Sequence, residues 1–195
     1  MKKVGILGGT FDPPHMGHLI IADEVKHVLN LDEIWFIPTN VPPHKQQATS
    51  SSRHRVAMLE LAIAHTPYFK INPIELERDG KSYTIDTIKL LKQRHTDTIF
   101  YFIIGADMVE YLPNWYKVEE LVSMVEFVGV KRPHYRIETN YAIDEVEVPL
   151  IDISSTKIKN RIKEKKAFHF LIPEAVYHYI KEERLYDGTT SNPID

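Results

Sequence analysis

The stretch that decides the fold runs from Val4 to His18, VGILGGTFDPPHMGH. Val4 to Leu7 is a short apolar run, and Gly8-Gly9 ends it, the punctuation of a buried strand feeding a tight turn. Past Asp12-Pro13-Pro14, the apolar positions Leu19, Ile20, Ala22, Val25, Val28 and Leu29 follow helical spacing as far as Asn30. A strand, a glycine turn and a helix in that order make a phosphate site. The glycines let the backbone approach a ligand, and the helix aims free N–H groups and its positive dipole end at it. His15 and His18, three apart at the helix start, lie on one side of the first turn and can donate hydrogen bonds to phosphate oxygens. The turn is neither the G-x-G-x-x-G of dinucleotide-binding folds nor a G-K-[ST] P-loop. As a zinc site the histidine pair is poor, since Asp12 is the only carboxylate near it in the chain.

The same alternation continues outward. Strands are predicted at Ile34–Ile37, Phe69–Ile71, Ile74–Leu76, Ile99–Ile104 and Val125–Val130. Helices are predicted at Arg53–His65, Thr84–Arg94, Val118–Ser123 and Pro173–Arg184. Strands apolar on both faces between helices of ten to fifteen residues predict an α/β fold, a Rossmann-like doubly wound parallel sheet with a small C-terminal helical extension. Its ligand belongs beyond the C-terminal strand ends, where strand order reverses. We expect one domain over 1–188, with a core over 1–132 and a C-terminal part over 149–188, and a frayed tail over 189–195. Two connections are long: Pro38–Ser52, of the kind that is either a functional lid or simply disordered, and Arg132–Val148, where Asp144, Glu145 and Glu147 read as a solvated face.

Composition narrows the function. The 195 residues are 43% hydrophobic and 26% charged, ordinary for a globular chain. Zero cysteines exclude a disulfide scaffold, an iron–sulfur site and a thiol nucleophile, and fit a reducing cytoplasm. No apolar run approaches the length of a membrane span, and the N-terminus lacks the pattern of a signal peptide, so we expect a cytoplasmic protein and no membrane partner. Net charge is −3, but Lys157, Lys159, Arg161, Lys163, Lys165 and Lys166 stand against only Glu164 in one stretch, +5 there and −8 elsewhere. That suits one local polyphosphate site; the acidic remainder, with no aromatics interleaved among the cations, speaks against nucleic acid. Ser154, Ser155 and Thr156 open the basic helix with hydroxyls and free N–H groups. Gly105 and Asp107 follow an apolar strand at its C-terminal end, and Thr84 reads as the N-cap of its helix.

G-G-T-F-D-P-P-H-x-G-H after the first strand, with Ile153-Ser154-Ser155-Thr156 far downstream, resembles the nucleotidyltransferase superfamily and its H-x-G-H and I-S-S-T-x-x-R motifs. Ser82–Thr87, Gly105–Met108 and Trp115 resemble the nicotinate mononucleotide adenylyltransferase family within it. The resemblance spans residues 3 to about 186. It implies transfer of AMP from ATP to nicotinate mononucleotide, with Mg2+ held mainly by the ATP phosphates and a homodimeric or larger assembly. His18 and His15 are then the catalytic pair. ATP is implied at Gly8, Gly9, Thr10, Phe11, His15, His18, Gly105, Asp107, Ile153, Ser155 and Thr156. The motif's arginine position holds Lys159, with Arg161 two further on, and either cation could face phosphate. Asn40, His44, Lys45, Tyr83, Thr84 and Trp115 are the implied mononucleotide contacts. Rivals are another adenylyltransferase, for pantetheine phosphate or FMN, and a non-catalytic nucleotide-binding regulator on the same fold.

Overall fold

The computed structural model describes residues 1–40, 48–78, 80, 83–131, 139–149 and 152–188. His44, Lys45, Ser82 and the 189–195 tail lie outside the described residues. Six strands, β1 (Lys2–Gly9), β2 (Glu33–Pro38), β3 (Phe69–Ile71), β4 (Thr98–Gly105), β5 (Glu126–Lys131) and β6 (Ile143–Glu147), form one sheet in the order β3-β2-β1-β4-β5-β6. Every neighbouring pair is parallel. The order reverses between β1 and β4, which open a crevice at their C-terminal ends.

Period-two alternation divides each central strand between two cores. Val4 and Ile6 of β1, Trp35 and Ile37 of β2, and Phe100, Phe102 and Ile104 of β4 face helices α3 (Thr84–Arg94), α4 (Ala106–Tyr111) and α5 (Val118–Val122). Leu7, Ile34, Phe36 and Ile103 face the other way, onto α1 (Met16–Val28) and α2 (Ser52–Ile63). A third apolar cluster joins Met58 of α2 to Ile158 of α6 (Ser155–Lys163) and to Val176 and Ile180 of α7 (Glu174–Glu182). Val176 and Ile180 are almost wholly buried, worth about 1.5–3 kcal/mol each. This cluster fastens the C-terminal segment to α2, beside the loop that follows β1.

The sequence pattern misplaced several pieces. Ile74–Leu76 is a turn, not a strand: the N–H groups of Leu76 and Glu77 both donate to the Pro73 carbonyl, at 2.8 and 3.2 Å. Ile74 is apolar because it is fully buried in the core, not because it belongs to a sheet. The acidic connection after β5 holds the edge strand β6, in which only Val146 is buried. Its carboxylates are solvated, as expected, and charge on an edge strand blunts pairing with other chains. Glu145 reaches across to Lys131 of β5 at 2.7 Å. Among the described residues, no helix is long and apolar enough to cross a membrane.

Candidate active site

The loop after β1 is shaped by close packing. Phe11 is buried with a left-handed backbone (φ 50°), and the Asp12–Pro13 peptide is cis. A Cβ on Gly9 would stand 3.0 Å from the Phe11 ring, so the glycine permits this fold of the loop. Phe11 lies edge-on to His18, with ring centroids 5.0 Å apart. His15 precedes α1 with an extended backbone and stacks on His18 at 3.7 Å. The His15 backbone N–H donates to His18 Nδ1 at 3.1 Å. An accepting Nδ1 fixes the proton of the neutral imidazole on Nε2, leaving that nitrogen as a donor. His15 is buried, and burial pushes its pKa down to about 4, so it is neutral at pH 7.

The start of α6 docks on this loop. Ser154 caps it, its Oγ accepting from the Lys157 N–H, and Ser155 Oγ donates to the Pro13 carbonyl at 2.8 Å. Two helix N-termini thereby converge, those of α1 and α6. Thr156, the next residue, is exposed, and Ile153 packs beneath against the third cluster. Lys159 turns inward, its Nζ 3.2 Å from Asp12 Oδ2 and 3.1 Å from Thr49 Oγ1. Arg161, two residues on, faces another way, and its Nε donates to the Ala167 carbonyl. Of these two cations, Lys159 is the one that the structure brings to the loop after β1. Arg55, only 2% exposed, donates from Nη1 to the carbonyls of Thr10 and Thr39, both at 2.9 Å, and clamps the loops after β1 and β2 together.

A cavity of about 420 Å3 opens in the crevice between β1 and β4. Gly8, Gly9 and Thr10 border it on one side, and Gly105, Tyr83, Thr84 and Trp115 border it elsewhere. Trp115 is held edge-on by Phe102 at 5.9 Å and Phe127 at 6.3 Å. Tyr83, not Thr84, is the N-cap of α3; its backbone is extended and no side chain caps the helix. The first turn's N–H groups therefore start at the cavity wall, as an anion site requires. Asn40 does not line the cavity; its Nδ2 donates to the Arg78 carbonyl at 2.7 Å. Arg78 in turn donates to Thr87 Oγ1, and the Thr87 hydroxyl lies 2.9 Å from Glu75, a buried carboxylate of the cavity wall. Gly105 is the N-cap of α4, and a Cβ there would stand 2.7 Å from Asp107 Oδ1, at the exposed first turn of that helix.

Sequence reasoning missed Arg55, Thr39, Glu75 and Tyr186. Arg55 alone left a signal, since it shares the buried face of α2 with Met58, Leu59 and Ile63.

A cytidylyltransferase-like family model matches residues 6–161. A probable nicotinate-nucleotide adenylyltransferase of Bacillus licheniformis is 56% identical over 188 residues, 96% of this chain and 100% of that protein. The nicotinate-nucleotide adenylyltransferase of Bacillus subtilis is 53% identical over 189 residues, again 96% and 100%. The chain belongs to the nicotinate-nucleotide adenylyltransferase family. Its fold is shared by the nicotinic acid mononucleotide adenylyltransferase of Plasmodium falciparum, solved in complex with NaAD. That superposition has a TM-score of 0.79 at 24% identity and covers 96% of this chain and 98% of the other.

Proposed function

We infer that the chain joins nicotinate mononucleotide to the AMP part of ATP, releasing nicotinate adenine dinucleotide and pyrophosphate in NAD biosynthesis. The observation that carries the residue-level reading is the meeting of a stacked histidine pair, its buried member His15 neutral, with Lys159 where two helix N-termini converge. A mononucleotide phosphate oxygen attacks the α-phosphorus of ATP, and the bond from that phosphorus to the bridging oxygen breaks as pyrophosphate leaves. The nucleophile is already an anion, so the residues need to align charge and not remove a proton. His18 donates from Nε2 to the α-phosphate, and His15 orients His18 through its backbone N–H. Lys159, Ser155 and Thr156 receive the β and γ oxygens, with Gly8 to Phe11 forming the floor. Gly105 and Asp107 serve the adenosine. The mononucleotide takes the 420 Å3 cavity, its ring against Trp115 and its carboxylate at the start of α3 beside Tyr83 and Thr84. Asn40 supports that wall through Arg78.

Among the described residues no group of three His, Asp or Glu gathers to hold a metal, and Asp12 is committed to Tyr186, Lys159 and Thr49. This donor set fits Mg2+ carried by the nucleotide's phosphates, where it would neutralise the leaving pyrophosphate. Residues 1–188 act as one catalytic unit in the cytoplasm, assembled as a homodimer. Incubation with ATP, Mg2+ and nicotinate or nicotinamide mononucleotide, following pyrophosphate release, tests the reading. Turnover is expected with the nicotinate form. Activity only with phosphopantetheine or FMN would refute the assignment, and sedimentation at the monomer mass would refute the dimer.

A further inference from the structure

Tyr186 lies beyond the last helix, yet it reaches the phosphate loop. Past α7 the Leu185 N–H donates to the Ile180 carbonyl at 3.0 Å, and Arg184 and Tyr186 take left-handed backbones (φ 51° and 67°). This helix ending turns the chain back on itself. It seats Leu185 and Tyr186 in the third cluster, 8% and 5% exposed. From there the Tyr186 hydroxyl donates to Asp12 Oδ1 at 2.6 Å, across 174 residues. The Lys159 ammonium stands 5.9 Å from the centre of the same ring, within reach of its π face. Asp12 Oδ2 accepts from the Thr49 N–H at 2.7 Å and from Lys159 at 3.2 Å. Tyr186 thus bonds the carboxylate and lies within cation–π range of the lysine, while the carboxylate's two oxygens serve different partners.

We propose that Asp12 and Tyr186 form a positioning pair for Lys159, holding its ammonium by one shared oxygen so that it is aimed at the triphosphate yet free to transfer to it. Tyr186 occupies Oδ1 and denies Lys159 a second contact there. The ring supports the lysine from below, and Thr49 fixes the carboxylate's rotation. The protonation states agree with these roles. Burial would raise the Asp12 pKa, but the Tyr186 hydrogen bond, the Lys159 charge and hydrogen bonds from Ser50 and Thr49 outweigh it, so Asp12 lies below the usual carboxylate range and stays ionised. Burial and the Asp12 charge push the Tyr186 phenol up, so it stays a donor.

The proposal rests on the reading that Lys159 receives ATP phosphate, and a double-mutant cycle on the full chain separates the two. Tyr186→Phe is expected to lower kcat about 10-fold, the scale of one hydrogen bond to a charged group, and to leave KM for nicotinate mononucleotide unchanged. In a Lys159→Met background, Tyr186→Phe is expected to change kcat hardly at all. If it costs the same factor in both backgrounds, Tyr186 only supports the fold and the proposal falls, while the Lys159 reading stands. If Lys159→Met leaves kcat and KM for ATP at wild-type values, the Lys159 reading fails and the proposal with it. Melting curves accompany each variant. Should Tyr186→Phe not fold, Asp12→Asn, which keeps an acceptor for the phenol but removes the charge facing Lys159, enters the same cycle with the same two outcomes.

Discussion

Replacing His18 separates its chemical role from its structural one. The side chain does two things: Nδ1 accepts the His15 N–H at 3.1 Å, and Nε2 therefore carries the proton and acts as a donor. Removing a donor aimed at developing charge costs about 2.7–4 kcal/mol of transition-state stabilisation, or 10²–10³ in kcat. Losing the acceptor at the helix start costs about 1 kcal/mol of stability, which lowers Tm by about 2–4 °C in a chain of this size. His18→Ala should show both effects. Asn places an oxygen near the position of Nδ1 and nothing at Nε2, so His18→Asn should recover most of the Tm and none of the kcat. Gln reaches toward Nε2 and should do the reverse in part. The assay is pyrophosphate release at saturating ATP and nicotinate mononucleotide, with KM for each substrate and a thermal melt. A kcat for His18→Asn within ten-fold of wild type, or a loss that appears only in KM, would refute the assignment of Nε2 to the transition state.

Three further outcomes follow from the packing and the charges. The His15 pKa is lowered from 6.5 to about 4, so the unfolded chain binds the proton first; stability should fall as pH drops from about 6.5 toward 4, by of order 3 kcal/mol. Thermal melts of wild type and His15→Gln across that window check it, and parallel curves would show that His15 does not contribute. Gly105→Ala puts a Cβ 2.7 Å from Asp107 Oδ1, so that exposed carboxylate must move; KM for ATP should rise about 2- to 10-fold with Tm nearly unchanged, and an unaltered KM would remove Asp107 from ATP binding. Gly5→Ala puts a Cβ 2.5 Å from Ile34 Cδ1 and 3.0 Å from Leu31 Cδ1, and urea unfolding should show a loss of about 1–3 kcal/mol with kcat preserved in the folded enzyme.

The legible parts of this molecule are those whose information is local. β1, β2, β4 and β5 are apolar on both faces because helices cover both faces of the sheet, so a continuous run betrays them. β6 has one covered position, Val146, among exposed acids, and leaves no run to find. The histidine pair is legible because three residues of helical spacing bring it together. The choice between Lys159 and Arg161 is not, since it depends on which face of α6 Ser155 docks against Pro13, a contact 142 residues long in sequence. Arg55 is a middle case: a cation in an apolar stripe is visible, but not that the Thr10 and Thr39 carbonyls receive it. Tyr186 carries no local mark at all, because its meaning lies in Asp12.

These non-local contacts also set the charge of the site. Behind the loop after β1, Arg55 and Lys159 face the single carboxylate of Asp12, and the Tyr186 phenol next to them is neutral. Two cations against one anion leave this largely buried cluster, with Lys159 at its solvent edge, one positive charge in excess. Under the proposed function, an anion arriving at the loop completes the charge of this cluster. The two histidines add donors, and His15, kept neutral by burial, adds no charge of its own. That division matters for turnover. A fully cationic pocket would hold pyrophosphate as firmly as ATP and release it slowly, whereas neutral donors at the α-phosphate strengthen their contacts where charge accumulates in the transition state. In the proposed reaction the excess charge draws in the triphosphate, and the histidine pair serves the bond being made.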